Sequence, residues 1–262
     1  MSAAGPDPGW LAALADNLAC RERLGLGLVR GDLNNLQRLL GRINPDTPQP
    51  STQPSPGQMG RMERPHEAPV KSPGAVSGLA QVRAAMGECT RCPLHEGRRN
   101  IVFGKGAENA ELMIIGEGPG AEEDRQGLPF VGRAGKLLDR MLAAVGLKTS
   151  QVYITNIVKC RPPGNRDPKA DEVAACRPFL EEQIQAVSPK IICTLGKPAA
   201  GALLGNQAPI SALRGNWHRF NGVPVLPMFH PAFLLRQPER KGLAYQDLKA
   251  LVNALGQGPP EA

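Results

Sequence analysis

Leu112-Met113-Ile114-Ile115-Gly116-Glu117-Gly118-Pro119-Gly120-Ala121-Glu122-Glu123-Asp124, continuing to Pro129-Phe130-Val131-Gly132-Arg133-Ala134-Gly135, is the stretch on which the reading of this chain turns. The apolar run reads as a buried strand, and Leu137, Leu138, Met141, Leu142 and Val145 repeat at helical spacing behind the loop. A strand therefore delivers a glycine-rich, acidic loop that feeds a helix. In open α/β sheets, ligands bind in such loops at the carboxyl ends of the strands. A dinucleotide or P-loop reading fits poorly: Pro119 interrupts the fingerprint, no Lys-Ser/Thr pair follows, and four carboxylates (Glu117, Glu122, Glu123, Asp124) would repel a phosphate. The plain alternative is a solvated turn whose acids sit favourably at a helix N-terminus.

Working outward, three more strands are expected, at Val152–Val158, Lys190–Gly196 and Val223–Met228. Helices are expected between them, at about Lys169–Val187 and Pro198–Leu204, with a last one over Gly242–Leu255. Asn221-Gly222 between apolar runs predicts a hairpin. Alternation of strands and helices implies an α/β fold, three layers α/β/α around a central, mostly parallel four-stranded sheet. The Glu117 loop, the Asn156 strand end and the His230 strand end then meet on one edge.

Upstream, residues 1–43 read as an extension with two short helices, near Trp10–Arg23 and Asp32–Leu40, too short to be stable alone. Residues 44–76 are rich in Pro, Ser, Thr, Gln and Gly and read as a disordered linker, because such a segment buries too little apolar surface to offset its ordering entropy. The body is expected over 77–258. The net charge of +7 favours a polyanionic partner. No run of eighteen apolar residues occurs and no signal-peptide pattern opens the chain, so a cytoplasmic, nucleoid-associated, non-secreted monomer without a membrane span is expected.

Six cysteines in such a chain point away from disulfides and towards metal. Cys89 and Cys92 form C-x2-C, and Cys160 and Cys176 complete a four-thiolate set. Thiolates are soft ligands, and spacing alone leaves a zinc site and a [4Fe–4S] cluster both open. Cys20 and Cys193 read as structural, Cys193 because it lies in an apolar strand.

With these residues in place the chain resembles the family 4, iron–sulfur branch of the uracil-DNA glycosylase superfamily. The resemblance rests on Gly116-Glu117-Gly118-Pro119-Gly120, Gly127-Leu128-Pro129-Phe130-Val131-Gly132, Thr155-Asn156-Ile157-Val158-Lys159-Cys160-Arg161-Pro162-Pro163 and His230-Pro231-Ala232, in that order, and covers about residues 78 to 255. It implies a DNA-repair hydrolase that flips uracil from single- or double-stranded DNA and leaves an abasic site, with a [4Fe–4S] cluster on Cys89, Cys92, Cys160 and Cys176. It also implies roles. Phe130, in a loop where exposure is expected, would stack on the flipped ring. Asn156 would read the uracil edge. His230 would donate towards O2. Glu117 would orient water or stabilise the sugar cation, with Glu123 and Asp124 as alternates. Gly116 and Gly118 would lend backbone contacts. Phe233, Leu234 and Leu235 would wedge into the minor groove, and Lys159, Arg161, Arg166 and Arg236 would contact phosphate. The histidine by which another branch of the superfamily cross-links to DNA has no counterpart between Arg161 and Pro168, so ordinary turnover is expected. The competing reading is a metal- or cluster-bearing DNA-binding module without catalysis. A protein partner is expected for the N-terminal extension.

Overall fold

A computed structural model of the protein describes residues 78–258. The two short helices of the extension, the linker and Cys20 lie outside the described residues.

Four strands, β2 (Leu112–Gly116), β3 (Tyr153–Asn156), β4 (Ile191–Leu195) and β6 (Val223–Met228), form the parallel centre of the sheet. The expected count of four is corrected to six, because a short antiparallel strand is added at each edge. They are β1 (Lys105–Gly106) beside β3 and β5 (His218–Phe220) beside β6, giving the order β1-β3-β2-β4-β6-β5. Strand β5 is the first arm of the hairpin signalled by Asn221-Gly222, both of which take positive φ (47° and 82°), as the tight hairpin turn requires. Strand β1 is two residues long, too short to leave any periodicity in the sequence.

The central strands read as continuous apolar runs because both of their faces are covered. Leu112 and Ile114 of β2 point into one cluster, with Ile154, Cys193 and Leu226. There they meet α4 (Arg133–Ala144), α8 (Pro231–Arg236) and α9 (Lys241–Gln257), through Leu138, Leu234 and Leu248 among others. Met113 and Ile115 point the other way, into a cluster with Tyr153, Ile192 and Val225. That face is covered by α1 (Gly78–Met86), α5 (Ala170–Val187) and α6 (Lys197–Leu204). Burying each such aliphatic side chain contributes about 1.5–3 kcal/mol. Among the described residues no helix is long and apolar enough to cross a membrane.

Two smaller helices, α2 (Leu94–Gly97) and α7 (Ile210–Leu213), sit in connections. The acidic stretch that followed the glycines in sequence is itself a helix, α3 (Ala121–Gln126), with Glu122, Glu123 and Asp124 in its first turn. From β2 the chain goes to β3 on one side and later returns to β4 on the other. The sheet therefore reverses winding at β2/β4, and the crevice at the carboxyl ends of these strands is where such folds bind ligands.

Candidate active site

At that edge lies a cavity of about 550 Å³ whose wall includes Glu117, Gly118, Phe130, Asn156 and His230, residues drawn from segments more than a hundred positions apart. Its size suits a small organic ring with room for its attachment.

Asn156 closes β3 directly opposite Gly116 of β2. It is 1% exposed, and its Oδ1 is buried without a hydrogen-bond partner. An orphan acceptor of this kind costs about 1–3 kcal/mol. The backbone of Asn156 is fixed from behind: the Lys159 ammonium donates to its carbonyl and to the Thr155 hydroxyl, both at 2.7 Å. Gly116 permits the arrangement. A Cβ there would strike the Asn156 Oδ1 and lie 2.7 Å from the Phe130 Cζ.

Phe130 is 6% exposed, so the exposure expected for its loop is corrected: its ring is packed in the cavity wall against Gly116 and His230. It takes φ of 51°, a strained value for a residue with a side chain. Glu123 and Asp124 are spent on scaffolding. The Glu123 Oε1 accepts from the Val131 and Gly132 N–H groups at 3.0 and 2.9 Å, and the Asp124 carboxylate accepts from the Arg99 N–H at 2.8 Å.

His230 follows β6 and caps α8. Its Nδ1 accepts from the Ala232 N–H at 3.1 Å, so a neutral ring carries its proton on Nε2. Burial, helped by the Arg236 charge, pushes its pKa down to about 4, which keeps the ring neutral at physiological pH. Glu117, half-buried at the mouth of the β2 loop, goes the other way. Burial, then the charge and a hydrogen bond of Asp167, push its carboxyl up to about 7. The site thus offers a neutral N–H donor and a carboxyl that loses its proton near neutrality.

The surface residues sort differently from expectation. Lys159 is 1% exposed, so its place among phosphate contacts is corrected: its ammonium is consumed inside. Leu234 is fully buried in the core beneath α8 and is removed from the wedge for the same reason. Phe233 and Leu235 remain partly exposed on that helix, and Phe233 lines the cavity and stacks on Phe229 at 5.0 Å. Arg166 and Arg236 line the cavity, but Arg166 is engaged by a two-pronged bridge to buried Glu172, at 2.8 and 2.6 Å. Arg161 donates to the Asn165 Oδ1 at 2.8 Å. Asp167 and Lys197 also line the cavity and were not anticipated. The signal for Lys197 was its place just after a buried strand, as for Glu117. For Asp167 no signal existed, because a loop folds it back onto Glu117.

Beyond β3, Cys89, Cys92, Cys160 and Cys176 line a second, apolar cavity together. Burial raises the pKa of Cys92, Cys160 and Cys176, and the Arg98 guanidinium lies 3.3 Å from the Cys160 Sγ. Among the described residues no three His, Cys, Asp or Glu side chains are arranged to hold a metal ion. Cys193 is apart, buried against Met228.

Residues 103–254 match the family model described as the uracil DNA glycosylase superfamily. The chain is similar to a type-4 uracil-DNA glycosylase of Sulfurisphaera tokodaii, 40% identical over 67% of this chain and 84% of that protein. It is also similar to one of Thermotoga maritima, 47% identical over 57% and 79%, and to one of Archaeoglobus fulgidus, 40% identical over 66% and 90%.

Proposed function

The chain belongs to the uracil DNA glycosylase superfamily, and from that premise we propose that its cavity takes a uracil flipped out of DNA and hydrolyses the bond between base and sugar, leaving an abasic site. The observation that carries the assignment of the site is the buried, unpartnered Oδ1 of Asn156 beside Phe130 and His230. A module that only binds DNA has no need of an amide, an aromatic ring and an imidazole gathered in one cavity wall.

A base within a duplex is out of reach, so it must leave the stack. Phe130 then provides the flat surface. The Asn156 Oδ1 accepts from uracil N3–H and the same amide donates to O4. Cytosine reverses both positions, which leaves two mismatched polar groups. As the C1′–N1 bond breaks, its electron pair goes to the base and positive charge develops on the sugar. The His230 Nε2–H donates to O2, where the negative charge collects, and being neutral it does so without giving up a proton. Glu117 as a carboxylate stabilises the sugar cation and orients the water that adds to C1′. Arg236 and Phe233 at the rim are the DNA contacts this placement favours.

We assign Cys89, Cys92, Cys160 and Cys176 as the holders of a [4Fe–4S] cluster. Buried Cys160 and half-buried Cys89, Cys92 and Cys176 line one cavity, a soft four-thiol donor set that suits such a centre. Its positive irons would offset the burial of four thiolates and tie α1, α2, β3 and α5 together. The reaction needs no redox step. Residues 1–43 and 44–76 we read as a partner-binding arm and its linker ahead of a glycosylase domain at 77–258.

The test is uracil release from a defined oligonucleotide, with the visible spectrum of the purified protein recorded alongside. Free uracil and a broad absorption near roughly 400 nm are expected. A colourless, zinc-bearing protein that releases nothing would restore the DNA-binding module. A brown protein without release would point to another damaged base.

A further inference from the structure

The Phe130 ring stands in a conformation that its own backbone disfavours, and two charged side chains hold it there. From one side Glu123, in the first turn of α3, accepts the N–H groups of the next two residues, Val131 and Gly132. From the other side the Lys105 ammonium, on edge strand β1, donates to the Phe130 carbonyl at 3.2 Å. Lys105 is half-buried, and the charges that face it are the carboxylates of Asp139 on α4 and Glu123 on α3. Strand β1 can press this close because Gly106 has no side chain: it takes φ of 116°, and a Cβ there would overlap the Val152 carbonyl. Three hydrogen bonds involving charged groups, worth together more than the cost of one strained residue, therefore converge on a single peptide segment.

We infer that Lys105 and Glu123 are positioning residues for the reaction, a two-sided clamp that presents Phe130 as a preformed stacking surface for the flipped base. The inference rests on the reading of Phe130 as the stacking residue. The edge strand, which lies outside the cavity wall, thereby sets the affinity of the pocket. Stacking on a ring already in place avoids the ordering cost that a mobile loop would incur at each binding event. Losing either side of the clamp frees the Phe130 peptide to relax out of the left-handed region, and the ring leaves the wall with it.

A double-mutant cycle tests this. Steady-state uracil excision and inhibition by free uracil are measured for the full chain and for Lys105→Met, Glu123→Ala, Phe130→Ala and each clamp variant combined with Phe130→Ala. Thermal melting and cluster absorption report the fold. Lys105→Met keeps the apolar stem and removes only the donor. We expect Lys105→Met and Glu123→Ala each to lower kcat/KM by about tenfold, mostly through KM, and to weaken inhibition by uracil in parallel. In the Phe130→Ala background neither should have a further effect, since the clamp acts through that ring. Losses in that background as large as in the parent would overturn the clamp while leaving the site assignment standing. So would unchanged kinetics for Lys105→Met and Glu123→Ala when Phe130→Ala is impaired. If Phe130→Ala itself excised uracil normally, the stacking role of Phe130 would fall, and the clamp with it.

Discussion

The rings of His230 and Phe130 lie 5.7 Å apart with their planes tilted by 34°, so a planar base stacked on the phenylalanine brings one edge to the imidazole. Because the His230 Nδ1 is occupied by the Ala232 N–H, the edge meets Nε2–H. His230→Ala should lower the excision rate by about a hundredfold or more, the usual effect of removing one donor from a developing anion. The lost cap costs only about 1 kcal/mol of stability, so the variant should still fold. A melting curve beside a single-turnover rate separates the two effects.

Two groups give the protein opposite pH behaviour. His230 holds a folded-state pKa of about 4 against 6.5 unfolded. Its contribution to stability is present above pH 6.5 and is lost as the pH falls towards 4, by up to about 2 kcal/mol for this partly buried ring. Glu117, raised to about 7 from 4.5, favours the folded state at low pH and loses that benefit as the pH rises through 7, by about 1 kcal/mol once solvent screening is allowed for. Activity should rise with pH through about 7 as Glu117 ionises, and Glu117→Gln should abolish that limb in a pH–rate profile. A limb that persisted in Glu117→Gln would assign the titration to another group.

Asn156→Ala should separate function from stability. It removes an acceptor that is unsatisfied in the free protein, so the relief of about 1–3 kcal/mol offsets most of the packing lost. Denaturant unfolding should shift little, while uracil excision falls by about a hundredfold or more. A variant that unfolded readily would mean that the amide is a structural group.

Gly116→Ala tests the close approach of strand and pocket. The added methyl meets the Asn156 Oδ1 and the Phe130 ring at once. Overpacking of this kind costs about 1–3 kcal/mol. Uracil binding should suffer more than the melting temperature, since the groups displaced, Asn156 and Phe130, are those proposed to hold the base.

The cysteine assignment predicts a selective loss of colour. Cys160→Ser and Cys176→Ser should bleach the visible absorption and lower the melting temperature, because their thiols line the shared cavity. Cys193→Ala should keep the colour, its sulfur being buried against Met228 instead. Colour retained in Cys160→Ser would remove that residue from the ligand set.

The sequence by itself determined the layers of the fold and which loops meet. Leu112–Ile115 and Ile191–Cys193 are apolar without alternation, as expected of strands covered on both faces, and the helical spacing of Leu137, Leu138, Met141 and Leu142 supplied one of the covers. Glycines, an asparagine and a His-Pro at three strand ends were enough to bring Gly118, Asn156 and His230 to one cavity. What only the tertiary structure decided is where each charge is spent. Lys159 looked like a phosphate contact in a basic loop but turns inward, because two oxygens at 2.7 Å offset the desolvation of its ammonium. Leu234 looked like a wedge, but one side of α8 packs on the core. Asp167 acts on Glu117, and Lys105 on Phe130, across fifty and twenty-five residues of chain, respectively. Periodicity reports which face of an element is buried. It carries no information on which distant partner a charged side chain finds there, because that pairing depends on loop paths and close backbone approaches set only when the sheet and helices have packed.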